Sequence, residues 1–234
     1  MNETLDDLNA ILAAWEPDFE VQRLAGQGRL YEPDGTLYAI LLSDQTELRT
    51  DRRRQTMRRG DLVVVPQSVA VEVEPDADFL GLRVAGPPPY HFRERFIQVR
   101  GFEHFAAASG EILDDDARHR VGYRVASVEP GRSCEFALPP SSWALMVRLD
   151  GQVAWHGHPD AWTQTSDGAV GLSGETARLM LSGSGRAAFF LLSGAGAYHA
   201  RRLAMLTGRA GAVSPESSNP PPQGEISRLE SGAG

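Results

Sequence analysis

Two short stretches of this sequence carry side chains whose type and spacing could do chemistry. In "ARHRVGYRVASVEPG", residues 117 to 131, His119 and Tyr123 fall on one side of an alternating strand pattern with Val121 and Val125. Arg118, Arg120 and Arg124 fall on the other side. An imidazole that titrates near neutral pH beside a phenol can abstract a proton and return it. The acidic run Asp114 to Asp116 just upstream offers an orienting carboxylate. In "AWHGHPDAW", residues 154 to 162, His156 and His158 alternate and Asp160 follows, a spacing that suits a transition metal. Gly157 and Pro159 give that stretch the composition of a hairpin tip, where histidines are ordinarily solvated. The four tryptophans include Trp143 and Trp155, two flat apolar surfaces able to line a ligand pocket or to fill a core. His91, His104 and His199 stand alone.

A third feature is electrostatic. The segment "LRTDRRRQTMRR" sets six arginines between Arg49 and Arg59 in a chain whose net charge is −8. Its layout is that of two strands with a tip near Asp51 to Arg53, and charge on such a hairpin is usually solvated and deters edge pairing. An anionic ligand or acidic partner is the functional alternative. The acidic balance of the whole chain excludes a general nucleic-acid binder.

The elements that position these residues are mostly strands. Residues 4 to 15, "TLDDLNAILAAW", place Leu5, Leu8, Ile11, Leu12 and Trp15 on one helical face, with Thr4 as N-cap and Pro17 as the stop. From residue 20 the helical period gives way to short β-type runs such as "TLYAILLS", "DLVVVP", "VAVEVE" and "DFLGLRVAG". The prolines of "GPPPYHF", residues 86 to 92, make a stiff connector, after which the β pattern resumes. From Thr207 the chain is rich in Gly, Pro and Ser and too poor in apolar residues to offset its ordering entropy, so a disordered tail is expected. Cys134 is the only cysteine, so no internal disulfide forms. No run approaches the roughly 20 apolar residues of a membrane span, and the acidic N-terminus lacks a signal-peptide layout. The cytoplasm is the expected compartment.

The β region repeats itself. Tyr38 of "YAILL" aligns with Trp143 of "WALMV", Gly60 with Gly168, and Asp78 of "DFLGL" with Ala188 of "AFFLL", at offsets of 105, 108 and 110 residues. An offset that nearly holds is what duplicated β modules give.

At this point the residues reach a family. "GDLVVVPQSVAVEV", from Gly60 through Pro66, resembles the second motif of the cupin superfamily. "EPGRSCEFALPPSSWALMVRLDGQVAW" resembles the first, opening at Pro130-Gly131 with a turn at Asp150-Gly151. The resemblance implies an all-β bicupin: two cupin-type β-barrels (double-stranded β-helix, or RmlC-like jelly roll) in tandem. The implied organisation is an N-terminal helix over residues 1–19, a first barrel over 20–88, a second over 89–206, and the tail over 207–234. It also shows what has been lost. Metal-binding cupins hold their ion with histidines and a glutamate converging inside the barrel. Here the later histidine position is Val71, residues 1 to 90 contain no histidine, and "GRSCEFALPP" offers Cys134 and Phe136 instead. Both sites read as degenerate, and no cofactor is implied.

The expected function is therefore a non-catalytic small-molecule-binding or protein-interaction module, with Trp143 and Trp155 as ligand-binding candidates. Some cupins are metal-independent sugar-nucleotide epimerases that pair a histidine base with a tyrosine. That sets the alternative: an isomerase or epimerase acting on a sugar or polar metabolite through His119 and Tyr123. A metalloenzyme built on His156 and His158 is the third reading. The ligand or protein partner is unspecified, no nucleic acid or membrane is implied, and a monomer or homodimer is expected.

Overall fold

The computed structural model describes residues 2–50, 53–86, 98–100, 121–137, 142–156, 163–164, 170–174 and 178–194. Among the described residues one helix, α1 (Asn2–Trp15), precedes fourteen strands. These are β1 (Phe19–Ala25), β2 (Arg29–Tyr31), β3 (Gly35–Leu41), β4 (Gln45–Arg49), β5 (Arg54–Arg58), β6 (Leu62–Val65) and β7 (Ala70–Glu72). They continue as β8 (Asp78–Ala85), β9 (Gln98–Arg100), β10 (Val121–Ala137), β11 (Ser142–His156), β12 (Thr163–Gln164), β13 (Val170–Gly174) and β14 (Arg178–Ser193). No helix among the described residues is long and apolar enough to cross a membrane.

The strands form three antiparallel sheets. Sheet I runs β1-β8-β3-β6-β9, sheet II β2-β7-β4-β5, and sheet III β10-β14-β11-β13-β12. In their first four positions, β1-β8-β3-β6 and β10-β14-β11-β13, sheets I and III repeat one strand order, and the repeat extends to register. Tyr38 lies opposite Leu82 in sheet I, and Trp143 lies opposite Leu192 in sheet III, the pairs that the sequence offsets of 105 and 110 would match.

Period-two alternation sends alternate residues of sheet I to two different cores. Leu37, Ala39, Leu41, Val63, Val65 and Phe79 face sheet II, where Leu30, Leu48, Met57 and Val71 meet them. Tyr38, Ile40, Leu62, Val64, Leu80 and Leu82 face the other way and pack against Val121, Tyr123, Val125, Leu145, Val147 and Phe190 of sheet III. Sheet I is therefore buried on both faces, and all seven residues of β3 are buried. A further core of Ala126, Val128, Ala144, Met146, Val153, Leu181 and Phe189 lies on the far face of sheet III.

The helix closes the first edge of sheet I. Leu8 and Leu12 enter the seam between sheets I and III, and Trp15 stacks on Trp143 with ring centroids 5.0 Å apart. Asn9 acts as a substitute strand: its amide nitrogen donates to Val21 O at 2.8 Å, and its oxygen accepts from Val21 N at 2.7 Å. The helix starts at Asn2, so Thr4 is inside the first turn and is not the N-cap. Ile11, expected on the buried face, is exposed.

Three further expectations change. Asp150-Gly151 does not end a strand: β11 runs through it with a register shift between Arg148 and Asp150. Pro130-Gly131 likewise sits at a register shift inside β10, between Val128 and Arg132. An extra residue bends such a strand without breaking it. The chain after the proline connector also returns to sheet I before entering sheet III, because β9 pairs with β6, Val99 opposite Val63. The boundary read at residue 88 is thus not a boundary between sheets. The connector from residue 87 and the tail from 207 lie outside the described residues.

Asn9→Ala is expected to lower the unfolding free energy by about 1–3 kcal/mol, since it leaves both Val21 backbone groups without a protein partner at a half-buried edge. Urea denaturation of the full chain measures this, and a loss under about 0.5 kcal/mol would mean that water replaces Asn9 without penalty.

Candidate functional site

The polar atoms buried in the seam converge on the turn between β5 and β6. Asp61 N–H donates to Arg58 O at 2.8 Å, and Asp61 Oδ2 accepts from Arg58 N at 2.8 Å, so Asp61 closes the turn twice. Gly60, at the apex, has φ of 90°, a left-handed conformation that side chains disfavour. A Cβ there would also come within 2.7 Å of Leu149 Cδ1 on sheet III. The motif glycine is required both by the turn and by the close approach of sheet III.

Sheet III grips this turn from the other side. The Tyr123 hydroxyl donates to Gly60 O in a buried hydrogen bond. Arg59 reaches across to donate to Leu149 O at 3.1 Å, and its other terminal nitrogen donates to Asp44 Oδ1 at 2.8 Å. Its Nε is buried without a hydrogen-bond partner. One strand pair further on, Asp150 accepts from Arg186 N at 2.8 Å and from Arg186 Nε at 2.6 Å, stapling β11 to β14 at the bulge.

The electrostatics follow from burial. Full burial, with the nearby Asp61 charge second, holds the Tyr123 phenol well above its ordinary range, and Arg186 opposes this only in part. Desolvation raises the half-buried Asp61 carboxyl, against the Arg58 backbone bond and the charges of Arg58 and Arg186. A phenol that is hard to ionise and already bonded to a fixed carbonyl is a clamp. It is poorly placed to exchange a proton with a substrate.

The alternation read for β10 places Val121, Tyr123 and Val125 on one face, and in the structure that face is the seam. Val121, Tyr123 and Val125 face sheet I across the seam, and Ala126 and Val128 face the other core. Ala126 and Val128 are buried as well as Val121, Tyr123 and Val125, so the pattern alone did not say which set faced the seam. His119 and Asp114 to Asp116 lie outside the described residues. Trp143 packs against the seam beside Trp15 and Phe19, and its Nε1 is buried without a partner. Trp155 and Cys134 occupy strand positions opposite Leu181, and Phe136 lies opposite Leu179. His156 lies on β11 opposite Met180, not at a hairpin tip, and His158 and Asp160 lie outside the described residues. Arg59, Asp150 and Arg186 were not singled out by chemistry. Arg59 was visible only as one member of the arginine run.

The fold can be compared with known structures on this basis. The chain is similar to the protein YhaK from Escherichia coli, with a TM-score of 0.52 and 16% identity over 75% of this chain and 84% of that one. It is similar to bacterial pirin YhhW in complex with nickel(II), also from Escherichia coli, with a TM-score of 0.52 and 10% identity over 75% and 81%. A third is the putative glyoxylate induced protein from Pseudomonas aeruginosa, with a TM-score of 0.51 and 16% identity over 74% and 72%. No family model matches the sequence, and no curated protein matches it. The fold and the seam define a β-rich protein of three antiparallel sheets and one helix among the described residues. It shares its fold with these three solved structures.

Nickel(II) in one of these neighbours makes the donor set of this chain a direct question. Between sheets I and II the facing side chains are Leu30, Leu37, Leu48, Met57, Val63, Val65, Val71 and Phe79, none of which ligates a hard or borderline cation. Val71 is fully buried among them. The residues here do not fit a metal. Among the described residues of the whole chain, no group of three or more His, Cys, Asp or Glu comes together in a way that could hold one.

Tyr123→Phe is expected to cost about 1–3 kcal/mol, because Gly60 O loses its buried donor. The sign of the pH effect is fixed by the raised phenol. Above the unfolded value of about 10, the unfolded chain sheds the Tyr123 proton while the folded chain keeps it, so stability falls as pH rises. The variant should therefore lose less stability than the native chain between about pH 9 and 11. Denaturation at both pH values measures the difference, and equal slopes would place the phenol in contact with water.

Proposed function

We propose that this chain is a bicupin, two cupin-type units joined back to back, that works as a non-catalytic binding module without a metal. The duplicated strand order of sheets I and III supports two units, sheet II forming the outer wall of the first. The observation that carries the reading is the filling of the space between sheets I and II. Position 71, where the resembling motif has a histidine, is a valine packed among Leu30, Met57 and Phe79. A side chain that fills a core is held by dispersion and burial, and it leaves no polar group aimed at a ligand.

The isomerase reading through His119 and Tyr123 is less well supported, because the Tyr123 hydroxyl already donates to Gly60 O. For the metalloenzyme reading, His156 has Met180 and not a second imidazole across from it in β14.

The test combines elemental analysis with thermal shift. The purified chain is expected to hold far less than one equivalent of Ni, Fe, Zn or Mn and to keep its Tm in EDTA. A screen of sugars, sugar nucleotides and organic acids should find a compound that raises Tm, a ligand at 100 times its Kd adding about 2.7 kcal/mol. Stoichiometric metal, a Tm that collapses in EDTA, or turnover of any screened compound that Tyr123→Phe abolishes would overturn the proposal.

A further inference from the structure

The arginine run becomes a specific surface once it is placed on sheet II. Strand β5 is the last strand of that sheet, pairing with β4 and with no other strand among the described residues. Two backbone hydrogen bonds set which of its backbone groups face outward. Thr50 N donates to Arg53 O, and Arg59 N donates to Asp44 O, so residues 53, 55, 57 and 59 turn their backbone groups toward β4. By the alternation of an antiparallel ladder, Arg54 and Thr56 turn their N–H and C=O to the open edge. Arg58 does so as well, but Asp61 takes both of its groups and closes the edge at that end. Arg54, Gln55, Thr56 and Arg58 are all exposed.

The side chains make this edge selective. Across the outer face of sheet II, Arg29 lies opposite Glu72, Glu72 also opposite Arg49, and Arg49 opposite Arg54. Glu72 lies between Arg29 and Arg49, and Arg49 also pairs with Glu47. Toward the edge the balance ends, since Arg53, Arg54 and Arg58 form no ion pair among the described residues. A chain of net charge −8 thus carries a strip of positive charge along one open strand.

We propose that β5 is a docking edge for an acidic, extended peptide segment of a partner protein, which adds as a fifth strand to sheet II. Main-chain bonds to Arg54 and Thr56 hold it, and carboxylates four residues apart on the peptide meet Arg54 and Arg58. The spacing is that of one strand face, about 13 Å. A second copy of this chain is a poor occupant. Antiparallel self-pairing about Thr56 would put Arg54 opposite the partner copy's residue 58, arginine against arginine. A nucleic acid is disfavoured by the overall negative charge and has no strand backbone to offer. This deepens the protein-interaction arm of the binding-module reading and does not depend on the metal result.

The probe is a fluorescein-labelled peptide, Thr-Glu-Val-Thr-Val-Glu-Thr, with its Gln-for-Glu analogue as control, read by fluorescence polarisation at low and high salt. The native chain should bind the acidic peptide, weaken markedly in salt, and ignore the analogue. Arg54→Glu with Arg58→Glu should abolish binding. Thr56→Pro removes only an outward N–H, a substitution an edge strand tolerates, and should weaken binding about tenfold or more. As a check that does not depend on variants, the peptide should slow hydrogen exchange at the Arg54 and Thr56 amides. No binding overturns the proposal. So does binding that leaves those amides unprotected and is indifferent to Thr56→Pro, which would mean charge contact alone. Tighter binding of heparin, or a concentration-dependent dimer broken by Arg54→Glu, would overturn it in favour of a polyanion or a second copy. A ligand that raises Tm while the peptide fails would sink this inference and leave the binding module standing.

Discussion

Everything in this molecule is organised by one sheet that is apolar on both faces. Sheet I sends odd-numbered side chains of β3 and β6 into one core and even-numbered ones into another. A strand buried on both sides cannot face water, so it needs two covers. Sheet II provides one. Sheet III and helix α1 provide the other, with Leu8 and Leu12 of the helix buried in the same seam as Phe190 and Leu192. Removing either cover would expose a large apolar surface, which makes the two repeats interdependent for stability.

A seam of that kind is slippery unless polar groups fix its register, because apolar contacts are nearly non-directional. The Arg58–Asp61 turn supplies the direction. It projects one carbonyl, Gly60 O, to one hydroxyl, Tyr123, and one guanidinium, Arg59, to one carbonyl, Leu149 O. Each partner is a single fixed atom, so a slip of one residue would break the set and leave buried polar groups unpaired. The closeness of Gly60 to Leu149 makes the glycine of the cupin-like motif a docking point in this chain. The motif has kept its fold-defining residue and turned it to a structural use between the repeats.

Much of this architecture was legible in the residues. Alternation identified "VAVEVE" correctly: Val71 is buried while Ala70 and Glu72 are exposed. The repeat offsets matched Tyr38 to Trp143 and Leu82 to Leu192, and in each sheet the matched residues pair across strands, Tyr38 with Leu82 and Trp143 with Leu192. The β4–β5 hairpin is there as read, Arg49 opposite Arg54, and residues 51 and 52 at its tip lie outside the described residues. What local sequence could not carry was long-range. Pro130-Gly131 and Asp150-Gly151 have turn composition, yet partner strands run past both, so they become bulges. The return of β9 to sheet I depends on a pairing with β6 that no nearby residue announces. For the candidate site, sequence placed Tyr123 with Val121 and Val125 on one set of alternating residues, and the structure turns that set toward sheet I. A period of two names two faces without saying what lies beyond each. Asn9 left a faint signal, a polar side chain one helical turn from Leu5 and Leu12, but nothing in the sequence named Val21 as its partner.

The burial of Val71 between sheets I and II can be weighed against a histidine at the same position by the same physics. A histidine buried there without an ion would need hydrogen-bond partners, and the neighbouring Leu30, Met57 and Phe79 have none to give. Valine removes that cost and adds apolar contact between sheets II and I. Sheet II then becomes a stiff plate, fixed on its inner face by packing, whose outer face and open edge are free to change. The inner residues of β4 and β5, Thr46, Leu48 and Met57, are buried, while Gln45, Arg49, Arg54 and Arg58 are exposed. A rigid plate loses little entropy when a partner binds it. Filling the interior and charging the exterior are therefore compatible changes in one sheet, and the first makes the second more effective.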